Sequence, residues 1–139
     1  MRGQSSAEML ILVGVILIAV TLILYLGTKA NEMSAVMRAA RDGAENAIAD
    51  IDAEYMCEIV IEEVGFDAGS IKISVAVRNP PPNITWENFK ENIIEPSIRD
   101  DALKHIHNAV AGFLPENADN VKTSYYTYGV EVDARRVTK

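Results

Sequence analysis

The side chains able to do chemistry are few in this chain, and their spacing keeps them apart. His105 and His107 lie two positions apart, which on a helix points them to nearly opposite sides, so that pair cannot hold one metal between them. Asp100 and Asp101 diverge in the same way and do not form a paired general acid and base. Cys57 is the single cysteine. It lacks a partner for an intrachain disulfide or a metal cluster, and its alternating apolar surroundings mark it as a small buried hydrophobe. Asn83-Ile84-Thr85 is an N-x-T sequon with two readings: a surface glycan on Asn83, or a chance match in which Thr85 caps the helix that follows. Tyr126 and Tyr128 share one face of a strand-like stretch with Tyr125 on the other, a pattern that suits either sheet packing or an aromatic binding surface. No nucleophile with its base, metal set or carboxylate pair emerges, so the chain reads as a non-enzyme with no cofactor and no small-molecule substrate. The one acid left to explain is Glu8.

Glu8 stands at the head of Met9 to Leu26, an 18-residue run whose least apolar members are Gly14 and Thr21, and no charge follows it until Lys29. At about 1.5 Å per helical residue the run covers roughly 27 Å, close to the hydrocarbon thickness of a bilayer. It reads as one membrane-spanning helix. A carboxylate costs about 2.5 to 3.5 kcal/mol at the membrane centre and less near an interface, so Glu8 either marks the edge of lipid or has a task there. A cleaved secretory signal fits poorly: the run is too long, Leu24-Tyr25-Leu26 offers no small-x-small exit, and Arg2 is the only base ahead of it. The apolar helix is expected to stay in the mature protein.

Gly3, Gln4, Ser6, Glu8 and Leu12 stand in the spacing G-Q-x-S-x-E-x-x-x-L. This resembles the class III signal peptide of archaeal type IV pilin-like proteins. The resemblance covers about the first 26 residues and implies that a membrane-bound prepilin peptidase cuts between Gly3 and Gln4, leaving residues 1–3 as the leader. Gln4 would then be the first mature residue and Glu8 the fifth. It further implies membrane insertion, then assembly with other pilin subunits into a cell-surface filament through the apolar helix, with the head outside the cell. Electrostatics gives Glu8 a task in such a bundle, because a carboxylate in a low-dielectric site can be satisfied by a neighbour's new amino group at Gln4, which also sets axial register. The chain departs from the family pattern in two places: the leader is short and carries one base, which bears on processing, and the head has a helical stretch from Trp86 to Phe113 where family heads are often wholly β, which points to a minor, capping or accessory subunit. The rival reading is a single-pass membrane-anchored extracellular binding protein that does not polymerise.

The remaining elements must carry that helix and its head. From Gly27 to Ile51, Ala30, Met33, Val36, Met37, Ala40, Ala44, Ala47, Ile48 and Ile51 recur every three or four residues, so an amphipathic helix over about 27–53 continues the spanning one over about 9–26. Gly27 and Gly43 weaken it locally, and Gly27 is a candidate bend. The division expected is leader 1–3, long helix 4–53 and head 54–139. Tyr55, Cys57, Ile59 and Ile61, then Ile71, Ile73, Val75 and Val77, alternate on either side of the turn-rich Gly65–Ser70 and predict an antiparallel hairpin. Three prolines at 80–82 end it. Trp86, Phe89, Ile93 and Ile94 predict a short helix stopped at Pro96. A second helix follows, with a capping box at Ser97 and Asp100, a stripe of Ile98, Ala102, Ile106, Ala109, Val110 and Phe113, and an end at Gly112 and Pro115. A strand over about Val121–Asp133 and a basic tail of Arg135, Arg136 and Lys139 complete an α+β chain: one long helix, a small antiparallel sheet and two short helices. With 20 acidic and 13 basic residues and a net charge of −7, nucleic acid is an improbable partner, and the acidic surface keeps an exposed head soluble.

Overall fold

The computed structural model describes residues 2–137, with side chains from Ser6 onward. The chain is α+β. In order it forms α1 (Arg2–Tyr55), β1 (Glu58–Asp67), β2 (Ser70–Arg78), α2 (Trp86–Phe89), α3 (Glu95–Ala111), β3 (Val121–Lys122) and β4 (Thr127–Arg136). It divides into two compact units at Met33 and Ser34, inside α1 and well ahead of the expected boundary after residue 53. The helical backbone runs through both Gly27 and Gly43 without a break.

The second unit explains the early boundary. Val36, Ala40, Ala44, Ala47, Ile48 and Ile51 are buried in its core, so this half of α1 is an internal element of the head. Small residues let it come close to α3. A Cβ on Gly43 would sit 2.4 Å from the Asp101 carbonyl oxygen and 2.8 Å from the Ala102 Cα. Glycine is the residue that permits two backbones to meet there. Beside this contact the Asn46 side-chain amide donates to Asp101 Oδ2 at 3.3 Å.

Met56, at φ 56°, turns the chain out of α1 and into β1. Tyr55 and Cys57, expected in the first strand, therefore precede it. The predicted turn over 65–70 shrinks to Ala68 and Gly69, at φ 49° and 96°, the positive pair that a two-residue hairpin turn needs. Pairing along β1 shifts between Ile61 and Glu63, leaving Glu62 as an extra residue. That bulge has a clear reason: Ile59 and Ile61 are odd-numbered whereas Val64 and Phe66 are even-numbered, and one inserted residue keeps all four toward the core.

The sheet is mixed, with strand order β1-β2-β4-β3. The expectation of a purely antiparallel sheet fails at its centre, where β2 and β4 run parallel from the Ser70–Gly129 pair to Val77–Arg136. The connection between them contains α2 and α3, and a parallel return needs such a long crossover. The strand expected over 121–133 is split in two. Thr123 Oγ1 accepts the N–H groups of Tyr125 and Tyr126 at 3.2 and 3.3 Å, closing a turn between β3 and β4. Ile71, Ile73, Val75 and Val77 of β2 are fully enclosed, packed with Phe89, Ile94, Ile98 and Ile106 from the helical layer and with Tyr128 from β4.

The two predicted helices join through a π-helical turn, Lys90–Ile94, that carries the chain past Pro96. A proline in regular helix clashes with the carbonyl four residues back and removes a donor; the wider turn relieves this, and the Glu95 N–H bonds the Lys90 carbonyl. Ser97 is consequently inside α3, which has no side-chain cap, and the expected capping box with Asp100 does not form. The α3 stripe is also shorter than expected: Ile98, Ala102, Leu103 and Ile106 are buried, while Ala109, Val110 and Phe113 are exposed.

Candidate functional site: the apolar N-terminal helix

The first unit is a helix with its apolar side chains on the outside. Leu10 is 74% exposed and Leu12 55%, and the remaining large apolar residues to Leu26 are exposed all round the axis. A soluble helix hides one stripe against a core; a helix apolar on every side needs an apolar surround. This one is long and apolar enough to cross a membrane. Both threonines of this unit turn their hydroxyls back to the helix. Thr21 Oγ1 donates to the Leu17 carbonyl at 2.7 Å and Thr28 Oγ1 to the Leu24 carbonyl at 2.8 Å. A hydroxyl bonded back to its own helix leaves no unmet polar group to oppose lipid.

Glu8 and Leu12 lie four residues apart, on one face of this helix, and both are exposed, as is Ser6. Gly3 and Gln4, the two sides of the expected cut, fall where side chains lie outside the described residues. No Cβ at Gly14 would meet another group within 4 Å, so that position is open to a neighbouring helix or to lipid.

The chain matches no protein-family model, no curated protein and no solved structure.

The polar groups of the head are dispersed. His105 Nδ1 lies 2.8 Å from the Asp101 carbonyl oxygen, while His107 Nδ1 is 3.3 Å from the Phe113 carbonyl oxygen and its ring meets the Phe113 ring edge-on. The two imidazoles serve different ends of α3. Asp100 pairs with Arg99, and Asp101 with Asn46. Among the described residues no group of three His, Cys, Asp or Glu side chains gathers as a metal would require. Cys57 is buried, its thiol 3.6 Å from Asp52 Oδ1. Burial first, and the Asp52 carboxylate second, push that thiol up to about 11, which suppresses the reactive thiolate near neutral pH. Burial likewise raises Asp52, opposed by the hydrogen bond it takes from the Ile59 N–H. Tyr126 meets Phe66 edge-on and Tyr128 lies tilted to it, at 5.2 and 6.3 Å between ring centroids, so these rings take part in sheet packing.

At the sequon both readings find support. Thr85 Oγ1 accepts the Asn88 N–H at 3.3 Å and caps α2, and Asn83 is exposed in the turn before it. Sequence reasoning missed one contact altogether. Arg135, expected in a free basic tail, lies in β4 and reaches over β2 to hold the bulge residue Glu62 with two bonds of 2.6 Å. In the pairing register Arg135 stands beside Ala76 of β2, whose partner on β1 is Val60, so the guanidinium reaches along β1 from Val60 to the bulge. Lys139, the last residue of the expected tail, is outside the described residues. The parity switch between Ile61 and Val64 was the visible signal for the bulge, but nothing nearby in sequence names Arg135 as its partner.

Proposed function

We propose that this chain is a structural subunit, minor or accessory, of an archaeal type IV pilus-like surface filament. It is inserted in the membrane, trimmed by a prepilin peptidase between Gly3 and Gln4, and assembled through its apolar helix. The observation that carries the reading is the pairing of an all-round apolar helix with the Gly3, Gln4, Ser6, Glu8 and Leu12 register at its start. A helix apolar on every face can exchange lipid for copies of itself or for related pilin helices, so one segment serves as membrane anchor and as polymer core. The head, with its own core and net acidic surface, then faces outward from the cell.

Glu8 is the register device in this scheme. After cleavage the amino group of Gln4 and the carboxylate of Glu8 on a neighbour form an ion pair in a low-dielectric bundle, where breaking one partner is far more costly than losing a surface pair. Glu8→Ala should leave the protein in the membrane, cleaved, and sharply reduce its amount in sheared filaments. Filament incorporation at the unmodified level would remove Glu8 from assembly. An anchored protein that never polymerises requires neither the cut nor Glu8, so the same variant separates the two classes.

A further inference from the structure

We propose that Asn83 carries an N-linked saccharide, and that this saccharide lies over the depression between the end of α1 and the proline loop. Placing the head outside the cell, where lipid-linked sugar donors are used, rests on the function proposed above. The sequon is intact, with Ile84 at its centre, and it is presented without any need to unfold the head. Asn83 is exposed in a turn held by the Ile84 N–H on the Pro81 carbonyl at 3.4 Å. Thr85 Oγ1 accepts the Asn88 N–H, which fixes the hydroxyl at the helix start while its own proton stays available to donate.

The ground beside Asn83 suits a sugar. An open depression of about 790 Å³ is lined by Tyr55, Met56, Asn79, Pro80, Pro82 and Asn83, among others. Its walls present a ring, a thioether and pyrrolidine faces, the surfaces on which the C–H faces of a pyranose pack. Two of its rim residues are held in left-handed backbone without being glycine, Met56 at φ 56° and Asn79 at φ 53°. Met56 is 86% exposed, the most exposed large apolar side chain among the described residues. A saccharide rooted at Asn83 covers it. In the reaction, Asn83 Nδ2 attacks the anomeric carbon of a lipid-linked sugar phosphate. The new C–N bond replaces the C–O bond to phosphate, phosphate leaves with the bonding pair, and one amide proton passes to a base of the transferase.

The experiment is intact mass of the protein purified from its native cells, compared among four chains, together with protease treatment of intact cells to report the side on which the head lies. The added saccharide mass should appear in the unsubstituted protein and in Thr85→Ser. It should vanish in Asn83→Gln, which keeps the cap, and in Thr85→Asp, which also keeps a capping oxygen but breaks the sequon. Oxidation of Met56 by peroxide should be faster in Asn83→Gln than in the glycosylated protein. A head cut on intact cells whose mass equals that of the bare chain overturns the glycan and leaves the topology standing. A head protected in intact cells overturns both. Added mass that persists in Asn83→Gln overturns the assignment to this residue, and equal Met56 oxidation rates overturn its placement over the depression.

Discussion

The two halves of α1 use the same backbone for opposite solvents. Met9 to Leu26 is built from Leu, Ile and Val with every large side chain facing out, whereas Val36 to Ile51 turns alanines, one glycine and a few branched residues inward and leaves its charges outside. The second half comes so close to α3 that Gly43 cannot take a methyl, while Gly14 in the first half meets nothing within 4 Å. Hydrophobicity alone is thus a poor guide to where a helix is finished. Small residues signal a surface already satisfied within the chain, and bulky residues on all sides signal one that awaits lipid or a partner.

The sharpest break of that comparison uses one residue type in both halves. Ile51 is 4% exposed and Ile18 is 64% exposed. Ile51→Ala should cost the head about 2 to 5 kcal/mol, read from its chemical unfolding midpoint, and Ile18→Ala should leave that midpoint unchanged. A charge inverts the pattern: Leu17→Arg should lower the share of protein retained in the membrane fraction, since Arg at the helix centre costs about 2.5 to 3.5 kcal/mol, while the head still unfolds at its usual midpoint. Gly43→Ala should destabilise the head by about 1 to 3 kcal/mol through overpacking against Asp101, and Gly14→Ala should not.

Smaller effects sharpen the account of the head. The Cys57 thiol is raised in the folded state, so its contribution to stability is full below about pH 8.5, where the unfolded thiol keeps its proton, and is lost as pH climbs toward the folded value of about 11. Cys57→Ala should flatten the fall in unfolding midpoint across that alkaline window. Arg135→Ala should have the least consequence, a slight drop that shrinks at high salt, because the bond to Glu62 lies at the surface.

The local periods of the chain were legible. The apolar run, the change to amphipathic spacing after Gly27, the β1–β2 hairpin and the enclosed face of β2 all follow from patterns spanning a few residues. What escaped depends on pairing at a distance or on a local rule overridden by neighbours. The parallel β2–β4 pair is decided by the helical crossover, the passage through Pro96 by a π-helical turn, and the exposure of Val110 and Phe113 by the lack of a covering element among the described residues. At the candidate site, the register of Gly3, Gln4, Ser6, Glu8 and Leu12 is a local pattern of the sequence, which the fold neither adds to nor alters. The depression beside Asn83 was not legible, because Met56 and the prolines of 80–82 meet only after β1 and β2 fold back.

The most direct measurement of the central claim is the N-terminal residue of the protein recovered from sheared cell-surface filaments. The account predicts a start at Gln4, with the apolar helix retained. A start at Met1, or absence of the protein from that fraction, would contradict it.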